Sequence, residues 1–384
     1  MKRIHQVWVI GLLIMMTAPL HAQQDDMPAA HIERICMVLN IGQMDDGTFN
    51  EVSFQGLVDI RHDYDLDEAN TVYLTSSGPE DWELNISDCI DNGFDVVVTV
   101  GFQLSEATLA AAQANPGVYF IGVDHFVLEG PENYVGIQFR DDEAGFLMGY
   151  LAGLVTESGT IGGIFGPDIP VIKRFRHGYI NGAALAALER VTDITVLTEY
   201  LPDFTLPEAG AATAARMIEA GADVLFGAAG LTGSGGIVHA AQQGVYVIGV
   251  DQDEYFTTFE GGELEGADYI ISSALKRVNV GVYDMLAALL EGEMDAFPGG
   301  SNYILSLENG GISFANPHDA DIPDAVYDRV VVVGSALAYG ELSTGVAPVT
   351  GDPLPNTAAA DVVALEAAQA SSAEATPETS SAGG

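Results

Sequence analysis

Two aspartates end two copies of the same eight-residue motif. Residues 117–124 read Gly-Val-Tyr-Phe-Ile-Gly-Val-Asp and residues 244–251 read Gly-Val-Tyr-Val-Ile-Gly-Val-Asp, so Asp124 and Asp251 occupy equivalent positions. A single aspartate at a strand end is usually a turn former or a helix cap. Two at equivalent positions favour a ligand role, because ionised carboxylates accept hydrogen bonds from hydroxyl and N–H groups.

The repeat also defines the elements that must position these aspartates. In each copy an apolar strand begins after Asp95 or Asp223, an alanine-rich helical stretch follows, and the motif forms the next strand. Strands this short and apolar are typical of parallel sheets buried on both faces, with helices as the connections. Further strands are predicted at residues 35–41, 71–74, 161–165, 195–200 and 269–272, and helices near 141–156, 171–188 and 206–220. One large sheet would fit this alternation, but the repeat favours two similar α/β lobes.

The residues at the strand ends are the candidates for a binding site. In open parallel sheets, ligands bind beyond the carboxyl ends of the strands. Those ends hold Asn40 to Asp46, Gly101, Phe102, Asp124, Gly230 and Asp251. Two lobes that face each other would place these groups around one cleft. We expect Lys276, at a crossover between the lobes, to contact the ligand, and Lys173 to be structural.

The net charge excludes several classes of function. The chain has 384 residues, with 13 Lys and Arg against 55 Asp and Glu, which gives a formal charge of −42. Proteins that bind nucleic acids or anionic lipids need basic patches, so we expect neither partner. Hydrophobic residues make up 48% of the chain. That fraction is too high for an acidic disordered protein and indicates a sizeable core.

Motifs of known enzymes and metal sites are missing from the sequence. It has no G-x-S-x-G elbow, no H-E-x-x-H pair and no pairing of cysteine with histidine. Asp45 and Asp46 could form a metal site or an acid–base pair, but stabilisation of a helix N-terminus explains them more simply. We therefore expect a binding protein rather than an enzyme, with no cofactor and no metal.

The ends of the chain differ from its body. Residues 1–22 combine two basic residues with an apolar run and are typical of a secretory signal peptide, with an uncleaved anchor as the alternative. We expect an exported protein, periplasmic or associated with the cell surface. Residues 351–384 have the composition of a disordered, low-complexity tail. Cys36 and Cys89 could form a disulfide after export or remain two small core residues.

Specific stretches follow one another along nearly the whole body of the chain. They are residues 44–50 (Met-Asp-Asp-Gly-Thr-Phe-Asn), 135–150 (beginning Val-Gly-Ile-Gln-Phe), 168–175 (Asp-Ile-Pro-Val-Ile-Lys-Arg-Phe), 249–251 (Gly-Val-Asp) and 276–277 (Lys-Arg). In this order and spacing they resemble the basic membrane protein family of ABC-transporter substrate-binding proteins, which includes purine nucleoside receptors. The resemblance implies a two-lobed type I periplasmic-binding fold, with a parallel sheet flanked by helices in each lobe.

The resemblance also implies lobe boundaries and partners. Residues 30–140 and about 276–310 would form the first lobe, and residues 141–275 and about 311–350 would form the second. The protein, expected to be a monomer, would deliver a nucleoside to an ABC permease in the membrane.

The family motifs assign roles to the residues of the aromatic wall. Phe49 would be one ring that stacks on the base, and Phe226 would be a second. Asp46 and Asn50 would lie beside the first ring.

The motifs assign the remaining roles to polar residues and one glycine. Asp124 and Asp251 would accept hydrogen bonds from hydroxyls or base N–H groups, and Lys276 would donate to the ligand. Gly230 would let the backbone approach the ligand closely. Asn40 stands where nucleoside-binding members commonly have aspartate. An amide both donates and accepts whereas a carboxylate only accepts, so the contact to the base or sugar is expected to differ here.

The same ligand class follows from chemistry alone. Hydrogen bonds to charged groups are worth about 1.5–3 kcal/mol, and a flat base gains roughly 1–3 kcal/mol from aromatic stacking. Carboxylates beside an aromatic wall therefore suit a neutral ribonucleoside, whereas a nucleotide would need a basic clamp. The alternatives are another neutral polar ligand, such as a sugar, and a role as the extracytoplasmic sensor of a signalling system.

Overall fold

The computed structural model describes residues 32–355 of the chain. The predicted signal peptide at residues 1–22, and residues 356–384 of the predicted tail, lie outside this range. The described part contains the strands β1 (Ile35–Ile41), β2 (Thr71–Ser76), β3 (Val96–Val100), β4 (Tyr119–Val123), β5 (Tyr134–Phe139), β6 (Thr160–Phe165), β7 (Thr195–Tyr200), β8 (Val224–Ala228), β9 (Tyr246–Asp251), β10 (Ile270–Lys276), β11 (Asn302–Leu305) and β12 (Ile312–Phe314).

The strands form two sheets of six. In the first sheet the order is β11-β5-β4-β3-β1-β2, and every neighbouring pair is parallel. In the second sheet the order is β12-β10-β9-β8-β6-β7, and only the short strand β12 is antiparallel to its neighbour. The two-lobed α/β fold predicted from the repeat is confirmed, and a single large sheet is wrong.

Helices cover both sheets. We define lobe 1 as the first sheet with the helices that pack on it, which are α1 (Phe49–Asp63), α2 (Pro79–Asp91), α3 (Ser105–Ala114) and α9 (Val278–Glu291). Lobe 2 is the second sheet with α4 (Asp141–Val155), α5 (Pro170–Arg190), α6 (Pro207–Glu219), α7 (Gly230–Gln242), α8 (Glu254–Thr257) and α10 (Asp324–Ala338). The predicted helices thus correspond to α4, α5 and α6, within two residues at each end.

The two copies of the repeat also make equivalent hydrogen bonds to the start of the first strand of each lobe. Asp95 Oδ2 accepts hydrogen bonds from the backbone N–H groups of Glu33 and Arg34, at 2.9 Å each, just before β1. The equivalent Asp223 Oδ2 accepts from the N–H groups of Glu157 and Ser158, at 2.8 and 2.6 Å, just before β6. Each aspartate therefore ties the entry of one strand to the start of its neighbour.

Helices α4 and α5 cross at unusually short range because glycines face each other. Gly145 and Gly149 of α4, and Gly178 and Gly182 of α5, lie at the crossing. A methyl group on Gly149 would lie 1.9 Å from the carbonyl oxygen of Tyr179. This close approach brings the N-terminal ends of both helices together below the cleft between the lobes.

A disulfide joins Cys36 in β1 to Cys89 in α2. Both cysteines are buried in the core of lobe 1. Of the two alternatives that the sequence leaves open, the structure has the bridge.

The chain passes between the lobes three times. The crossings are at Arg140, at Arg277 and over residues 306–311. They run side by side, because Arg140 N–H donates to the carbonyl of Leu305 and Arg277 N–H donates to that of Gly311, both at 2.9 Å. Over residues 32–355, no helix is long and apolar enough to cross a bilayer.

Candidate functional site

A cleft lies between the lobes at the carboxyl ends of the strands. It encloses about 750 Å³ of space, counting the solvent at its mouth. Lobe 1 contributes residues at or just after the carboxyl ends of β1, β3 and β4, and lobe 2 contributes residues at or after those of β6, β7, β8, β9 and β10. The cleft is therefore where the strand-end rule predicts it. Of the nine predicted site residues, it brings together Asn40, Asp46, Phe49, Asn50, Asp124, Gly230, Asp251 and Lys276.

The repeated aspartates share an uncommon backbone conformation. Asp124 has a φ of +62° and Asp251 a φ of +66°, both in the left-handed region. Few residues other than glycine adopt this region, and such residues cluster at functional sites. Both copies of the motif therefore turn their carboxylates at the end of a strand in the same way. The structure places both side chains in the wall of the cleft.

Lys276 is held by two carboxylates. Its Nζ donates to both oxygens of Asp124 at 2.8 Å and lies 3.1 Å from Oδ1 of Asp141. All three side chains are at most 5% exposed. Burial alone would lower the pKa of Lys276, but the charges of Asp124, Asp141 and Asp251 together raise it above its ordinary value. The lysine is therefore a permanent cation on the floor of the cleft.

These contacts bear on the predicted role of Lys276. A lysine has three N–H donors; Lys276 donates to both oxygens of Asp124, and Oδ1 of Asp141 lies at ion-pair distance without a hydrogen bond. That Lys276 donates a hydrogen bond to a ligand stays a prediction. It would require the lysine to give up one of its contacts with Asp124 or Asp141 in favour of the ligand. The rings of Phe49 and Phe139 lie 5.1 and 4.7 Å from Nζ, close enough for cation–π attraction.

Asp141 and Arg174 complete the group of charged residues at the base of the cleft. We call this group, which consists of Lys276, Arg174, Asp124, Asp141 and Asp251, the floor. Arg174 donates from Nε and Nη2 to Oδ2 of Asp141, at 2.9 and 2.7 Å, and both side chains are buried. Burial raises the pKa of Asp141, while Lys276 and Arg174 oppose that shift. Neither residue was predicted to belong to the site, because their pairing depends on the crossing of α4 and α5. The preceding lysine, Lys173, lies outside the cleft and pairs with Asp168 and Asp352 at 3.8 and 3.5 Å.

Asp251 is the carboxylate left for a ligand. Within residues 32–355 its side chain has no hydrogen-bond or ion-pair partner, and it is partly accessible from the cleft. Burial raises its pKa to about 7; Lys276 opposes this shift, and Asp124 adds to it. Because three aspartates and two cations meet there within residues 32–355, ionisation of Asp251 leaves one negative charge uncompensated.

Asp46 positions the first aromatic wall. Its carboxylate accepts hydrogen bonds from the backbone N–H groups of Thr48, Asn50 and Glu51, at 2.9–3.2 Å, and so caps the start of α1. Burial raises the pKa of Asp46, and these backbone hydrogen bonds oppose the shift. The predicted helix-terminal role is therefore what the structure shows. The capped turn carries Phe49 into the cleft.

Two polar atoms beside Phe49 are buried without a partner in the described part of the chain. They are Oγ1 of Thr48 and Oδ1 of Asn50. The amide nitrogen of Asn50 donates to the carbonyl of Gln43 at 3.1 Å. Buried polar groups are normally hydrogen-bonded, so unpaired ones in the wall of a cleft indicate contacts that a ligand or water would complete.

Phe226 lies elsewhere than predicted. Its ring is fully buried in lobe 2, 5.9 Å from the ring of Phe165 and 5.4 Å from that of Tyr179, and it does not line the cleft. It stands in the middle of β8 and packs under α5. The rings that lobe 2 presents to the cleft are those of Phe175 and Phe204.

Gly230 begins α7 and lines the cleft as predicted. Its φ of +54° favours glycine. Over residues 32–355, no group of three or more His, Cys, Asp or Glu side chains could hold a metal ion.

The fold and the cleft define a two-lobed solute-binding protein. A family model described as "ABC transporter substrate-binding protein PnrA-like" matches residues 33–333. The chain therefore belongs to this family, as the sequence motifs indicate.

Relatives match along most of their length. The "ABC transporter nucleoside-binding protein BmpA" of Lactococcus lactis is 30% identical over 304 residues, which cover 76% of this chain and 84% of the relative. "Basic membrane protein A" of Borreliella burgdorferi is 29% identical over 293 residues, which cover 75% of this chain and 81% of the relative.

A solved structure supports the fold. An ABC transporter solute-binding protein from Aeropyrum pernix superposes with a TM-score of 0.70 at 24% identity, covering 81% of this chain and 92% of that one.

Proposed function

We propose that this protein is exported and binds a neutral purine nucleoside in the cleft, for delivery to an ABC permease in the membrane. The observation that carries the proposal is the combination, in one cleft, of an aromatic ring at Phe49 and a carboxylate at Asp251 that has no partner among residues 32–355. The predicted signal peptide supports export. The name of the Lactococcus lactis relative supports a nucleoside as ligand.

The carboxylates suit the sugar. A ribose presents two neighbouring hydroxyls, and one carboxylate accepts hydrogen bonds from both. Such charge-assisted hydrogen bonds are worth about 1.5–3 kcal/mol each. Asp251 has its acceptor oxygens free, whereas those of Asp124 are engaged by Lys276. We therefore assign the principal ribose contact to Asp251.

The aromatic rings suit the base. Phe49 of lobe 1 and the rings of Phe175 and Phe204 of lobe 2 line the cleft. A base that stacks on such rings gains roughly 1–3 kcal/mol. Because the rings come from both lobes, a bound base would contact both and favour their closed arrangement.

The charge of the floor disfavours a phosphate. The two cations there, Lys276 and Arg174, are already paired with aspartates. The uncompensated charge is negative, so a nucleotide would be repelled where a neutral nucleoside is not.

Calorimetric titration tests the proposal. Inosine, guanosine and adenosine are titrated into the wild-type protein and into the variants Asp251→Asn and Phe49→Ala. We expect binding of at least one nucleoside, a loss of about tenfold or more in each variant, and little binding of the matching 5′-monophosphate. No heat with any nucleoside, together with binding of free ribose, would point to a sugar and overturn the assignment.

A further inference from the structure

Two amide side chains form a pair in the lobe 1 wall of the cleft. Asn40 lies in β1 near its carboxyl end, and Gln103 lies in the short turn that follows β3. Nδ2 of Asn40 donates to Oε1 of Gln103 at 3.0 Å, and both residues line the cleft.

A backbone group fixes which way both amides point. The N–H of Ile41 donates to Oδ1 of Asn40 at 2.8 Å. A backbone N–H can only donate, so the atom facing it must be the amide oxygen, and Nδ2 must face Gln103. Gln103 then has to present its oxygen to Asn40.

The amide nitrogen of Gln103 is left without a protein partner. Among the described residues nothing accepts a hydrogen bond from Nε2, and the side chain is only half-buried. Gly101 keeps the space beside the pair open, since a methyl group there would lie 2.7 Å from Nδ2 of Asn40. The wall therefore holds an amide nitrogen, Nε2 of Gln103, whose N–H donors no described residue accepts.

We propose that the Asn40–Gln103 pair sets the hydrogen-bond polarity of this wall, so that the cleft selects 6-oxopurine nucleosides over adenosine. The proposal rests on the proposed nucleoside function. A 6-oxopurine presents two neighbouring acceptors, O6 and N7, whereas adenine places the N6 amino donor beside N7. A donor that faces a donor leaves both groups unpaired, which is costly in a closed site.

One substitution reverses this polarity. In Asn40→Asp the Ile41 N–H still occupies one carboxylate oxygen, and the other oxygen can only accept. Gln103 then turns its nitrogen to the new carboxylate and its oxygen to the ligand. This wall of the cleft then offers the ligand a hydrogen-bond acceptor, the oxygen of Gln103, which suits the amino group of adenine.

The experiment is a calorimetric comparison of inosine with adenosine on the purified protein. The variants are Asn40→Asp, Gln103→Leu, and Gln55→Glu as a control that adds the same charge on an exposed position of lobe 1. The wild type should bind inosine about tenfold or more tighter than adenosine. Asn40→Asp should lower that ratio at least tenfold, Gln103→Leu should bring it near one, and Gln55→Glu should leave it unchanged.

Results that contradict the role of the amide pair differ from results that contradict the proposed nucleoside function. Equal affinity of the wild type for both nucleosides, or an unchanged ratio in Asn40→Asp with its thermal unfolding intact, overturns the role of the amide pair and leaves the proposed function standing. Failure of the wild type to bind any nucleoside overturns the proposed function, and this inference with it.

Discussion

Ligand binding should depend on pH through Asp251. Burial raises the pKa of this carboxyl to about 7, and only the ionised form offers both oxygens as acceptors, one for each hydroxyl. At pH 6 about nine tenths of the free protein would carry a proton on Asp251, and at pH 8 about one tenth. Affinity should therefore fall about tenfold per pH unit below 7 and level off above it.

The assay is calorimetry with inosine at pH 6, 7 and 8, in buffers of different ionisation enthalpy. If the bound ligand keeps Asp251 ionised, binding at pH 6 should release about 0.9 proton, at pH 7 about 0.5 and at pH 8 about 0.1. Asp251→Asn should bind more weakly and release no proton from this site.

The Asp251→Asn variant also identifies which carboxyl group releases the proton. The pKa values of Glu143 and Glu254 are raised by burial to about 7 as well. Both residues remain in Asp251→Asn, so the difference between wild type and variant isolates Asp251. Equal proton release by the two proteins, or tighter binding by the wild type on acidification, would refute the reasoning.

The free protein should show the opposite trend in stability. The carboxyl of Asp251 titrates near 3.8 when unfolded and near 7 when folded, so between these values the folded state binds more protons. The free energy of unfolding should therefore fall as pH rises from about 4 to about 7. Urea titration should show a smaller fall in Asp251→Asn than in the wild type.

Three further predictions concern the frame that holds the site. Lys276→Met leaves Asp124 buried without its cation and Asp141 with Arg174 alone, so the free energy of unfolding at pH 7 should fall by about 3–5 kcal/mol, measured by urea titration. Gly149→Ala should cost about 1–3 kcal/mol, because its methyl group meets the Tyr179 backbone, while Gly117→Ala, which meets no atom within 4 Å, should cost little in thermal unfolding. Replacing Cys36 and Cys89 by serine opens a bridge across 53 residues and should cost about 4 kcal/mol; an unchanged urea midpoint would contradict this.

The repeat explains why much of the fold and part of the site could be predicted. Equivalent motifs located Asp124 and Asp251, and the structure gives both the same left-handed φ. The short strands β11 and β12 escaped prediction because neither has a clear period of its own. They are defined only by the sheet edges on which they pair.

Phe226 shows where sequence reasoning fails. All five residues of β8 are apolar or small and fully buried, so no alternation indicates which face of the sheet each side chain occupies. The ring points to α5 instead of the cleft. Phe175 and Phe204 reach the cleft from loops and helix starts of lobe 2, and only the packing of the lobes identifies such positions. The same holds for Gln103, which no motif distinguishes.

The charge of the floor connects these observations. In a chain with so few basic residues, Lys276 and Arg174 are both buried against aspartates, and they neutralise two of the three that meet below the cleft. The third, Asp251, has no counterion in contact with it within residues 32–355, and burial raises its pKa to about 7. A third cation would pair with Asp251 and remove the acceptor that a sugar hydroxyl needs, and it would also attract phosphate. One cation fewer would leave Asp124 or Asp141 uncompensated in the interior, at a cost of several kcal/mol. Two cations for three carboxylates is therefore the balance that leaves one acceptor for a neutral, hydroxyl-bearing ligand.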